Sequence, residues 1–169
     1  MEQEQIEANE QNKEIAIKRV QEKGKNLEFL AEELQDDKEV VMEALKQDGE
    51  ALEFASDRLK DDKEIIMFAI NQVPWVAYYA SERLKADKEV ILASVKSYGQ
   101  TLYYASEELR DDEEVVRAAI TNKGLIIKYA SFRLRDNKEL AEIAVKQNKD
   151  AYHFLSSRLK QDEEIKRLL

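Results

Sequence analysis

From Asp37 onward a polar Asp-Lys-Glu run gives way to apolar Val40 and Val41, then to Ala44 and Leu45, before a polar stretch that closes at Gly49. A second apolar set follows at Leu52, Phe54, Ala55 and Leu59, and the acidic run returns at Asp61 and Asp62. Apolar residues recurring three and four apart on one side predict an amphipathic helix, and both sets have that spacing. Two segments of about ten residues, parted by a glycine, predict a helical hairpin; helices this short are marginal alone in water and need stacking to persist.

The whole pattern returns every 25 residues without slip, its starts marked by Asn12, Asp37, Asp62, Asp87, Asp112, Asn137 and Asp162. Six complete units end at Gln161, and a partial seventh begins at Asp162. A fixed period in this range is the signature of a quasi-one-dimensional repeat protein, in which no unit buries its apolar face alone. The expected fold class is all-α: an α-solenoid of stacked short helical hairpins over residues 12–169. Residues 1–11 read as a polar N-terminal tail or a frayed helix against the first unit. The partial unit reads as a short C-terminal cap or as the cut end of a longer array.

The boundaries are chemically marked. Asp36 stands three residues before Glu39, and Asp61–Glu64, Asp111–Glu114 and Asp136–Glu139 share the spacing, which predicts a capping box. Where Ala86 and Gln161 replace the first acid, the cap is expected to weaken or to move to Asp87 and Asp162. The glutamate recurs in all seven units, at 14, 39, 64, 89, 114, 139 and 164. An acid in the first helical turn suits the helix dipole, which accounts for this ladder without a metal. Gly24, Gly49, Gly99 and Gly124 are all the glycines of the chain and predict a left-handed residue closing the first helix. Pro74 then demands a different turn in the third unit, and Lys149 departs in the sixth.

Buried registers are expected at Val40, Ala44, Leu45, Leu52, Leu59 and their equivalents, with Arg19 breaking the small-residue register as suits an end repeat. The aromatic register Phe29, Phe54, Tyr79, Tyr104, Tyr129 and Phe154 is expected to pack between repeats. Ser56, Ser81, Ser106, Ser131 and Ser156 are expected to bond the carbonyl four residues back. Arg58, Arg83, Arg133 and Arg158 are expected to form a salt ladder to the cap carboxylate of the next unit.

The phrases DKEVVMEALKQDGEALEFASDRLKDD, DKEVILASVKSYGQTLYYASEELRDD and DEEVVRAAITNKGLIIKYASFRLRDN resemble the DUF4116 repeats found in bacteria and protists, over Asn12 to Leu169. The resemblance implies helical repeats, with two adjacent units per family domain and so about three domains. It implies no catalytic residue, cofactor or ligand.

Composition narrows the partners. Net charge is −9, which disfavours nucleic acid and anionic membrane, since neutralising phosphate needs an excess of Lys and Arg. No stretch of 18 apolar residues predicts a membrane span. The acidic start MEQEQIEANEQ lacks the basic and apolar regions of a signal peptide. With no cysteine, disulfides and thiolate chemistry are excluded. A cytoplasmic protein is expected, secretion without a classical signal peptide being the other route.

Candidate chemistry is sparse. His153 is the only histidine, so no zinc set or Cys–His pair can form. Acid pairs such as Asp36-Asp37 mark helix starts rather than a pocket between two carboxylates. No catalytic, cofactor or metal residue is expected, and the chain is read as not an enzyme. The solvated registers carry the remaining signal. Outer units place Lys25, Glu28 and Glu32, or Glu50, Glu53 and Asp57, in registers where the middle units place Trp75 and Tyr78, Tyr103, and Leu125, Lys128 and Phe132. Trp and Tyr are enriched at binding hot spots. These residues, bordered by Tyr98, are the candidate patch of a non-enzymatic scaffold that binds protein or peptide. The alternative is a structural spacer, or a module that self-associates into a homo-oligomer through the same patch.

Overall fold

A computed structural model describes the backbone of residues 2–169 and the side chains of residues 12–169. Whether residues 1–11 pack on the first repeat lies outside the described side chains. The protein is an all-α helical repeat, with no strand among the described residues. The contacts divide it into two compact units, Met1–Ser81 and Glu82–Leu169.

Each repeat has three parts, and the second repeat shows them. Helix Lys38–Gln47 carries the first apolar set. A 3-10 helix, Gly49–Phe54, follows after a single extended residue, Asp48. The chain then extends through Ala55 and Ser56 and makes one α-turn, Asp57–Lys60. The single second helix expected from the apolar spacing is therefore two pieces. A 3-10 helix has three residues per turn, so its positions fall into columns. Gly49, Leu52 and Ala55 form a buried column, Ala51 is buried in the next, and Glu50 and Glu53 lie in the column facing water. Phe54 sits below Ala51 and is only half-buried. Its counterparts Tyr79, Tyr129 and Phe154 are half-buried too, while Tyr104 and Phe29 are exposed. The aromatic register thus forms a partly wet ridge and not the core. Buried Val, Ile, Leu and Ala side chains from the first helix, the 3-10 helix and Leu59, Leu84, Leu109, Leu134 and Leu159 make the core instead.

The caps sit one residue later than the box spacing suggests. Asp37 Oδ1 accepts from the Glu39 and Val40 amides at 2.9 and 3.1 Å, and Asp62, Asp87, Asp112 and Asp162 repeat the arrangement. Asn137 caps through Leu140. Four of these caps, Asp37, Asp62, Asp112 and Asp162, are also gripped from the repeat before. Lys13 lies 2.8 Å from Asp37 and 2.9 Å from Glu39, and Lys38, Lys88 and Lys138 repeat the double contact one, three and five repeats on. Burial pushes Asp37 upward, but the Lys13 ammonium and the capped amides outweigh it and hold the carboxyl below its usual range.

The residue before the cap does different work. Ser56 Oγ accepts from Leu59 N–H at 3.2 Å, capping the short turn, and donates to Asp36 of the preceding repeat. Arg58 Nε donates to the same carboxylate at 2.9 Å, and its Nη2 to the Asp36 carbonyl. Asp111 with Ser131 and Arg133, and Asp136 with Ser156 and Arg158, are copies. The salt ladder therefore points back to the preceding repeat, not forward to the next cap. The serines are caps, not residues bonded four positions back, because the chain is extended there. That extended break frees the Ser56 N–H, which reaches the Gln35 carbonyl at 3.0 Å; Ser81, Ser106, Ser131 and Ser156 likewise bond residue 60, 85, 110 or 135.

No described residue has positive φ, so the glycines close nothing in the left-handed region. Close approach explains three of the four. A Cβ on Gly24, Gly99 or Gly124 would lie 2.5, 2.6 or 2.2 Å from the carbonyl oxygen of Ala44, Ala119 or Ala144 in the following repeat. Pro74 needs no different turn: it starts the 3-10 helix Pro74–Tyr79, where its fixed φ suits the first position, and Val73 before it is extended as Asp48 is. Lys149 has Leu169 at the same offset and is exposed, its Nζ bonding the Leu169 carbonyl.

Candidate functional site

The water-facing column of each 3-10 helix holds residues three apart, which is where the sequence placed the candidate patch. Trp75 and Tyr78 occupy it in the unit Met1–Ser81, and Gln100 with Tyr103, then Leu125 with Lys128, occupy it in the unit Glu82–Leu169. The candidate residues thus fall in both units.

In the first unit Trp75 and Tyr78 are half-buried, with ring centroids 6.2 Å apart and planes 15° from parallel. Tyr79 packs on both. Burial, followed by hydrogen bonding with Tyr78 and Glu53, pushes the Tyr79 phenol upward. It stays a neutral donor at any ordinary pH. Lys60 Nζ lies 5.9 Å from its ring centroid.

The second unit carries the wetter part. Tyr103 is 54% exposed and sits 5.0 Å from Tyr104 edge-on and 4.9 Å from Tyr129 of the next repeat. Lys128 Nζ stands 4.7 Å over Tyr129 and 6.0 Å over Phe154. Phe132, 70% exposed, opens the short turn Phe132–Arg135, and its ring lies 5.7 Å from the Arg135 guanidinium. Tyr129 and Phe132 together line a cleft of about 400 Å³ whose other walls include Arg110, Arg135 and Glu107. Tyr103, Lys128 and Phe132 are therefore joined through Tyr129. Leu125 is half-buried at the second position of the 3-10 helix Gly124–Tyr129. Tyr98 is the half-buried residue preceding Gly99–Tyr104. No ring contact joins either to Tyr103 or Phe132 among the described residues.

Sequence reasoning missed Tyr129, which it assigned to packing, and both arginines. A signal for the arginines existed: the last position of the short turn reads Gln35, Lys60, Lys85, Arg110, Arg135, Lys160, basic in five of six repeats. His153 is exposed and meets Tyr152 edge-on at 6.0 Å.

Three-part helical units recurring every 25 residues make the chain a helical repeat protein. The family described as Domain of unknown function (DUF4116) matches residues 12–60, 37–85, 62–110, 87–135, 112–160 and 137–167. The chain belongs to the DUF4116 family. Each of the first five matches spans two repeats and overlaps the next by one, so the two-repeat unit is read in six registers rather than as three separate domains. No curated protein and no solved structure matches the chain. No helix among the described residues is long and apolar enough to cross a membrane.

Proposed function

We propose that this protein is a non-enzymatic scaffold that binds protein or peptide through the Tyr103–Tyr129–Phe132 surface, in the cytoplasm, without nucleic acid or membrane as partner. The observation that supports the reading most is Phe132. It occupies the first position of the short turn, where the other repeats carry Glu32, Asp57, Glu82, Glu107 or Ser157. A small polar or acidic residue there satisfies the fold, so a large exposed aromatic is not called for by packing. Tyr103 repeats the argument in the water-facing column, where Glu28 and Glu53 stand in earlier repeats. Exposed aromatics grouped around a cleft are the residues that anchor partners. Trp75 and Tyr78 form a second aromatic group on the other unit.

Sedimentation velocity over a concentration series tests this against self-association. The wild type is expected to sediment as a monomer. A dimer that disappears in Y103A/F132A would refute partner binding, because the surface would be occupied by a second copy.

A second reading, a stacking or self-associating module, is favoured by the first repeat. Ile15 is 50% exposed and Phe29 73% exposed, although the counterparts of Ile15 from Val40 onward are buried and those of Phe29, Tyr104 excepted, are half-buried. On this reading the exposed Ile15 and Phe29 pack against another helical repeat. A dimer that survives Y103A/F132A but is lost in I15E/F29E would identify that mode.

A further inference from the structure

Resting on the peptide-binding reading of the Tyr103–Phe132 surface, we infer that the cleft beside Phe132 is a carboxylate site, and that the peptide it takes is acidic, with an Asp or Glu side chain held between Arg110 and Arg135. Both arginines line the cleft. Both have an Nε–H that is buried with no acceptor among the described residues.

The same position elsewhere in the chain shows what is unusual here. Lys60 Nζ donates to the Glu53 carbonyl at 2.7 Å, and Lys160 Nζ to the His153 carbonyl at 2.6 Å. Gln35 Nε2 does the same for the Leu27 carbonyl at 3.1 Å. Gln35, Lys60 and Lys160 thus tie down the end of their own 3-10 helix, whose last carbonyls lack intrahelical partners, whereas Lys85 pairs with the Glu82 carboxylate at 2.9 Å. Arg110 and Arg135 make no such tie. Arg110 has only a loose contact with Glu107, at 3.8 Å, and Arg135 only the face of Phe132. Two consecutive repeats therefore carry, in place of a side chain tied to its own backbone or to a neighbouring carboxylate at 2.9 Å, a planar guanidinium whose Nε–H is unused. A guanidinium differs from an ammonium in matching a carboxylate two-pronged and in lying flat against an aromatic ring. Arg135 against Phe132 has the second property already, and an incoming carboxylate would draw on the first.

The chain carries −9 overall, so an acidic segment is repelled at long range and must be held by this local pair. Glu107, exposed at the rim, is the one acid lining the cleft, and at 3.8 Å its hold on Arg110 is weak enough to be displaced. Apolar residues next to the acid would pack on Phe132 and Tyr103.

The test uses a random seven-residue peptide library displayed on phage, selected on the full chain and on R110K/R135K. Lysine keeps both charges and restores the residue that the fold accepts at positions 60, 85 and 160, so this variant folds. The wild type should select peptides enriched in Asp and Glu beside apolar residues. Replacing the acid of the best peptide by its amide should weaken binding at least about tenfold, as should R110K/R135K, since a charge-assisted bidentate contact is lost in each case. Peptides selected without acidic enrichment but lost by Y103A/F132A would overturn the carboxylate site while leaving peptide binding intact. Unchanged affinity in R110K/R135K would also overturn it. Failure of the wild type to select any peptide would overturn both readings.

Discussion

Gly124→Ala separates two explanations of the repeat glycines that make opposite predictions. If glycine were present only because it follows a helix, alanine would be welcome. With φ negative throughout, it would stabilise by roughly 0.4–1 kcal/mol through the unfolded chain. The packing predicts the reverse. The new Cβ would stand 2.2 Å from the Ala144 carbonyl oxygen, 2.9 Å from Gln147 Oε1 and 3.1 Å from the Ala144 carbonyl carbon. Reaching even a tight contact of about 3.2 Å needs repeats five and six to part by about 1 Å, which weakens dispersion contacts along that seam. It also strains the bond from Gly124 N–H to Gln147 Oε1. Overpacking of this kind costs typically 1–3 kcal/mol, so net destabilisation of about 1–3 kcal/mol is expected, or roughly 2–12 °C in Tm for a chain of this size. Gly49→Ala is the internal control. Its Cβ would meet a Val73 methyl at 3.0 Å and the Ala69 carbonyl oxygen at 3.3 Å. A few tenths of an ångström of side-chain movement relieves that, so the change should be near neutral, within about 0.5 kcal/mol. Urea denaturation of both variants, followed by circular dichroism, reads the difference. A Gly124→Ala protein as stable as the wild type would refute close approach as the reason for the glycine.

Ser131→Ala removes both a cap and the bond to Asp111, and should cost about 1–2 kcal/mol by urea titration. Ser106→Ala, where Ala86 replaces the aspartate, should fall at the low end of cap losses, about 0.5–1 kcal/mol. Asp36, Asp111 and Asp136 are each held below the usual carboxylate range, first by a serine hydroxyl and then by an arginine. Their folded state takes up protons less readily than the unfolded chain. The stabilisation is therefore complete above the ordinary carboxylate pKa and disappears as pH falls through the depressed range, below about pH 4. Thermal melts of D111N/D136N should show a shallower loss of Tm than the wild type below that pH and a lower Tm at pH 7; parallel curves would contradict the pairing.

The period, the first helix and the existence of caps were legible because they rest on local chemistry repeated seven times. The cap position was not, because Asp36-Asp37 and its copies offer two acids in a row and only the fold shows which one meets the amides. The second helix was misread for a related reason. Leu52, Phe54 and Leu59 fit a helical stripe at about 100° per residue, whereas a 3-10 helix turns by about 120°, and nothing in the residues at Ala55 and Ser56 announces an extended break. That change of pitch moved the aromatic register out of the core. It also brought Trp75 and Tyr78, and Leu125 and Lys128, into one column each, since residues three apart are neighbours in either form. Arg110 and Arg135 stayed hidden because their register is basic in five of six repeats, so neither stands out from the lysines. Only the carbonyl ties of Lys60 and Lys160 show that lysine and arginine are not equivalent there.

Phe132 offers the sharpest separation of folding from function. It is the first residue of a turn capped by Ser131, a position where Glu32, Asp57, Glu82 and Glu107 stand in other repeats. Phe132→Glu gives that helix end an acid where the dipole favours one, worth about 0.3–1 kcal/mol at an exposed site. Against this, it removes a ring that is 70% exposed, so little burial is lost, together with the contact to Arg135. An exposed cation–ring contact contributes roughly 0.5–1 kcal/mol, and a glutamate at the same place sits three residues before Arg135, where an ion pair replaces part of it. The sum predicts a protein within about 0.5 kcal/mol of the wild type or slightly more stable. Any peptide selected on the wild type should meanwhile lose most of its affinity, since an anchor is gone and an acid now faces the arginine pair. Urea titration and fluorescence anisotropy on the same preparation read both. Destabilisation beyond about 1.5 kcal/mol would mean that Phe132 belongs to the packing of repeat five. Its exposure would then no longer support a partner.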